Sequence, residues 1–148
     1  MSSRDLYSNL YPTVALAPVV VADNTAQVTS IIDMKGYDSV VFYILTGALA
    51  DADATFATTV THGDAVDSEA TPTTITDSAA ADALAFQGTL AGASFTFADD
   101  NAVKRIGYMP GKAGGKRYVR LTITPTGNAG NAPLAVLALR RPMNVPVA

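Results

Sequence analysis

The chain has 148 residues, nearly half of them apolar, enough for one domain with its own core. It lacks cysteine, which excludes disulfides and thiolate metal sites. All thirteen acids lie between Asp5 and Asp100, and eight of the ten bases lie between Lys104 and Arg141, so the first hundred residues carry −11 and the last 48 carry +8. Sorting of this kind points to a partner of complementary charge, for which another copy of the chain is one candidate, or to acidic and basic strands paired inside one sheet.

The first 22 residues show no sustained period. Pro12 and Pro18 discourage helix, so 1–22 reads as an extended N-terminal arm whose apolar side chains, Leu6, Tyr7, Leu10 and Tyr11, need a surface to cover. Pro18 interrupts the apolar run from Val14 to Ala22, and Arg4 is matched by Asp5, a poor signal peptide. No stretch reaches the ~18 to 20 apolar residues of a membrane-spanning helix, so a soluble protein is expected.

Residues 23–142 read as the domain proper, with 143–148 as a tail. Gln27 to Asp33 is a first strand, ended by the Lys35-Gly36 turn. Ser39 to Leu45 is apolar on both faces, as in a central strand covered on both sides. Thr55 to Thr61 alternates, with Phe56, Thr58 and Val60 on one face. His62 to Pro72 reads as a polar, acidic loop, and Thr73 to Thr76 as a short strand. Asp77 is placed to cap a helix over Ser78 to Gln87, stopped by Gly88. Ala93 to Ala98 alternates again, setting Phe95 beside Phe97, and Val103 to Tyr108 follows. Tyr118 to Thr124 is the clearest strand, with Val119, Leu121 and Ile123 facing one way. Pro133 to Leu139 reads as buried on both faces. About eight short strands separated by turns predict an all-β fold, a β-sandwich or jelly roll.

Catalytic chemistry finds little support. His62 is the sole histidine, in what reads as solvated loop, and there is no G-x-S-x-G elbow. His62, Asp64, Asp67 and Glu69 do not follow EF-hand spacing, and the Asp51/Asp53 pair is common in turns. Gly111 to Lys116 (GKAGGK) fails as a phosphate loop: it is one residue short, Arg117 stands where Ser or Thr is required, and a strand follows it. A basic hairpin tip is expected instead. Lys104, Arg105, Lys112, Lys116, Arg117 and Arg120, interleaved with Tyr108 and Tyr118, match no nucleic-acid motif in a net acidic chain. They are better suited to acidic loops of the same chain, a neighbour or a larger assembly.

The stretch VKRIGYMPGKAGGKRYVRLTITPTG, then LAVLALRRP, between Val103 and Arg141 resembles small structural proteins of tailed bacteriophages. RDLYSNLYPTVALAP, IIDMKGYDSVVFYILTG and FADDNAVKRIGY extend the resemblance over most of the chain. Its hallmark is a strand pattern with K-R-Y-V-R rather than a catalytic signature. The resemblance implies a non-enzymatic capsid decoration (cement) protein on the virion exterior. It would bind the major capsid protein, usually as a homo-trimer, without cofactor, small-molecule substrate, membrane or direct nucleic-acid contact. The interface is expected at the arm (Leu6, Tyr7, Leu10, Tyr11) and at Lys104, Arg105, Lys116, Arg117 and Arg120. Two other readings stay open. One is a tail or neck component, set apart by ring symmetry. The other is a glycan-binding module using Tyr37, Tyr43 or Tyr108.

Overall fold

A computed structural model describes residues 5–143. Alternation with a period of two dominates them, and the chain is all-β: eleven strands in two sheets packed as a sandwich. In chain order, α1 (Leu6–Asn9) is followed by β1 (Tyr11–Val21), β2 (Gln27–Val28), β3 (Ile32–Asp33), β4 (Tyr37–Thr46) and β5 (Thr55–Gly63). The middle of the chain holds short pieces: β6 (Ala79–Ala80), β7 (Phe86–Gln87), α2 (Leu90–Ala93) and β8 (Phe95–Thr96). Three longer strands complete the fold: β9 (Val103–Tyr108), β10 (Tyr118–Thr126) and β11 (Ala132–Pro142).

One sheet runs β1-β11-β4-β9-β7. The other runs β2-β10-β5-β6, with β3 also on β10 and β8 also on β5. Every strand pairing among the described residues is antiparallel. The inner face of the first sheet contributes Val40, Phe42 and Ile44 from β4 and Leu134, Val136 and Ala138 from β11, all buried. Phe56, Thr58 and Val60 from β5 and Val119, Leu121 and Ile123 from β10 oppose them. Thr58 is accommodated because its hydroxyl donates to the Ala93 carbonyl at 2.9 Å.

Several expectations need correction. Residues 1–22 are not an arm throughout: Tyr11–Val21 is an edge strand bonded along β11, and its register shifts near Leu16. Pro12 and Pro18 forbid helix but are tolerated on an edge, where one row of backbone donors lacks a partner strand. Gln27 to Asp33 is two pieces because Thr29 interrupts the ladder: its hydroxyl takes the Leu121 N–H at 3.1 Å. Thr73 to Thr76 supplies only one bridge, Ile75 to Val66.

No helix forms over Ser78 to Gln87. The Asp77 carboxylate that was to cap it accepts the Asp64 and Ala65 N–H groups instead, and the Ala81 N–H joins the Val60 carbonyl. Asp82 caps a single 3-10 turn at Ala83–Ala85. The Ala93 to Ala98 strand shrinks to Phe95–Thr96, because the Asp99 carboxylate takes the Thr96 N–H and turns the chain. Phe95 stacks on Phe56 at 4.7 Å inside the core, while Phe97 is exposed. The GKAGGK segment is a crossover between the two sheets, not a hairpin tip. It is tight enough that a Cβ on Gly115 would lie 2.2 Å from the Pro110 oxygen.

Neither Ser39 to Leu45 nor Pro133 to Leu139 is buried on both faces. Each alternates strictly, and the outward Val41, Tyr43, Leu137 and Leu139 are half-buried while Leu45 is exposed. No element of the described chain forms a layer over this side of the sheet. Of the expected tail, only Met143 lies among the described residues.

Candidate interaction surface

Asp5 nucleates α1. Its carboxylate accepts the Tyr7 N–H at 2.9 Å and the Ser8 N–H at 3.2 Å, an N-cap that fixes the turn locally, and the Ser8 hydroxyl, followed by these N–H groups, lowers the Asp5 pKa. The turn buries nothing: Leu6 is 73% exposed and Tyr7 92%. Tyr11 meets the edge of the Tyr37 ring at 6.0 Å, and the Arg140 guanidinium covers that ring at 4.2 Å. Leu6, Tyr7, Leu10 and Tyr11 thus come together, and with Leu139 they enclose an apolar hollow of about 680 Å³.

The expected basic set divides. Lys104 pairs with Asp99 at 2.8 Å and Lys116 with Asp64 at 3.0 Å. Arg117 grips Asp33 through two parallel bonds of 2.9 and 3.0 Å, reaches Glu69 at 3.2 Å and lies 4.7 Å above the Tyr118 ring. These bonds raise the Arg117 pKa and lower that of Asp33. Arg120 donates to the Thr73 carbonyl at 2.9 Å. Lys116, Arg117 and Arg120 therefore pin the 64–77 loop to β10, and every ion pair among the described residues joins an acid before position 101 to a base beyond it. The sorted charges meet inside the molecule. Arg105 alone of the set makes neither an ion pair nor a hydrogen bond among the described residues, on the outward side of β9 opposite Tyr43.

His62 is not solvated. It is 5% exposed, at the inward end of β5, with Nδ1 2.7 Å from the Tyr108 hydroxyl. That hydroxyl accepts the Lys116 N–H at 2.6 Å and lies 3.4 Å from the Lys116 carbonyl. Burial lowers the His62 pKa, and Lys116 adds to this, against Asp64, Asp82 and Asp77. A depressed histidine contributes stability that is complete above its ordinary pKa of 6.5 and is lost as pH falls below it. Stability should therefore fall as pH drops below 6.5, by up to about 1.4 kcal/mol per pH unit. His62→Gln should flatten that interval in urea titrations, since no other histidine exists; an unchanged slope would contradict the assignment.

The acidic candidates do not converge. Asp64 belongs to Lys116 and Glu69 to Arg117. Asp67 closes its own loop by accepting from Thr73 and Thr74. No group of three potential metal ligands gathers among the described residues. Of the tyrosines for a glycan platform, Tyr108 is buried and Tyr37 is covered, leaving Tyr43 half-open.

The surface that sequence reasoning missed is the outward side of the five-stranded sheet. Cross-strand register aligns Val14, Leu137, Tyr43 and Arg105 in one row, and Ala135, Leu45 and Val103 in the next. The signal was present as apolar residues on both faces of β4 and β11; it was read as two covering layers, and one is missing. No family model matches the chain, and no curated protein matches it.

Proposed function

We propose that this protein is a virion structural component that decorates and stabilises a tailed-phage capsid by binding the shell of major capsid protein. The observation that carries the reading is the uncovered apolar surface formed by α1 and the outer sheet face. Leu6 and Tyr7 are held outward by a capped turn that buries nothing in its own chain. Such a turn is stabilised only when another surface covers it. The resemblance of Val103 to Arg141 to phage structural proteins supplies the kind of assembly. Binding would add interface energy between capsomers; no catalytic residue takes part.

The reading places the protein outside the capsid, as a homo-trimer in contact with the shell and not with packaged DNA. Quantitative mass spectrometry of purified particles tests it. A copy number that scales with the major capsid protein is expected. Absence from particles would overturn the reading, and copies sufficient for only one ring would move the protein to the neck or tail.

A further inference from the structure

The outer sheet face has a shape as well as a polarity. Four strands at ~4.8 Å spacing and some seven residues at ~3.4 Å each make a face of roughly 450 Å². That falls within the ~300–600 Å² of the largest apolar patches on monomers, which are often functional. Arg105 is the one charged side chain on its central rows. Its two ends differ. At one end α1 projects as a knob carrying Leu6 and Tyr7, continuous with the face through Leu139. At the other, Val20, Leu45, Pro133 and Ala135 line an open apolar groove of about 310 Å³.

Charge distinguishes the same two ends. Near the groove, the turns carry Asp51, Asp53, Asp99 and Asp100, and Lys104 bonds to one of them, Asp99. At the knob end, Lys35 and Lys112 have no ion pair among the described residues, against the single carboxylate of Asp5 at the start of α1, which has none either. Knob and groove are complementary in form, and the ends that carry them are complementary in charge, but one copy cannot bring its own two ends together.

We propose that this face is the contact between copies of the chain, α1 of one copy seated in the Val20–Leu45–Pro133 groove of another. The occupant is a second copy because one chain carries both halves of the match. In a head-to-tail contact the two unlike halves are buried on different copies, so the face plus Leu6 and Tyr7, an aromatic alone adding ~150–250 Å², gives roughly 800 Å² in all per contact, the size of a weak, reversible association. Joining unlike ends makes the contact head-to-tail, and a trimer is a closed ring of three such contacts. The inference deepens the assembly reading by naming the partner of this surface, and rests on it for its place in the virion.

The absence of cysteine allows a direct test. In the full chain carrying Tyr7→Cys and Leu45→Cys, the two thiols sit at opposite ends of the face. Leu139 and Ala135, which mark those ends, are about 14 Å apart along β11, beyond the ~7 Å Cα limit of a disulfide. Mild oxidation should give covalent oligomers on non-reducing gels, whereas either single variant should give few. In sedimentation, Leu45→Asp, at an exposed position, should keep its melting temperature and weaken self-association at least about 100-fold.

Crosslinked species only at background level would overturn the proposal, as would a wild-type chain that stays monomeric at high concentration. A monomeric wild type whose shell binding is nevertheless lost in Leu45→Asp would assign the face to the capsid and also overturn it. Oligomers that crosslink as expected but never bind shells would leave this contact standing and remove the decoration reading.

Discussion

Phe56→Ala should remove about 3–5 kcal/mol of folding stability, the range for truncating a buried aromatic. Phe56 is 1% exposed on the inner face of β5, stacked on Phe95 at 4.7 Å with the rings 9° from parallel. The substitution deletes the ring's own burial and leaves a cavity between β5 and the α2–β8 segment, whose short elements have little else to hold them. Since domains of this size are stable by only ~5–15 kcal/mol, a large part of the total would go. Urea unfolding followed by fluorescence measures it. A loss below ~1 kcal/mol would mean that the stack is not a core contact.

Tyr108→Phe is the second large effect, and a polar one. The ring is 1% exposed, and its hydroxyl bonds to His62 Nδ1 and to the Lys116 N–H. Removing one oxygen leaves a buried imidazole nitrogen and a backbone donor without their partner, for about 1–3 kcal/mol. The hydroxyl is also the bond that fastens the 110–117 crossover to the end of β5. Amide exchange at Lys116 and Arg117 should accelerate beyond what the global loss of stability explains. A variant as stable as wild type, with exchange unchanged, would contradict this role.

How far the sequence could be read depended on how local the signal was. β10 and β5 were legible because each alternates against one core and needs no knowledge of its neighbours. The 78–87 segment misled because alanine favours helix while the segment's real constraints are distant: Asp77 serves the Asp64 and Ala65 N–H groups, and Ala81 pairs with Val60. His62 misled for a similar reason. Its polar neighbours suggested solvent, but β5 continues two residues further and turns His62 inward toward Tyr108, 46 positions away in sequence.

Leu6, Tyr7, Leu10 and Tyr11 lie together around one hollow, and nothing in their own segment covers them. The basic residues were recognisable as partners of carboxylates, but only the three-dimensional register shows that Asp33 and Asp64 lie in the same chain. The outer face of the five-stranded sheet could not be read from spacing alone. An apolar residue facing a missing layer has the same letter as one facing a layer that exists.

The central claim is that the protein binds a capsid shell as an assembly of copies joined through α1 and the outer sheet. It is tested most directly by titrating the purified protein onto shells assembled from the major capsid protein of the same genome and following co-sedimentation. The account predicts saturable binding at a fixed ratio per capsomer, lost when Leu6 and Tyr7 are both changed to Asp, with the fold intact by circular dichroism. Shells that sediment without the protein at every ratio would contradict it.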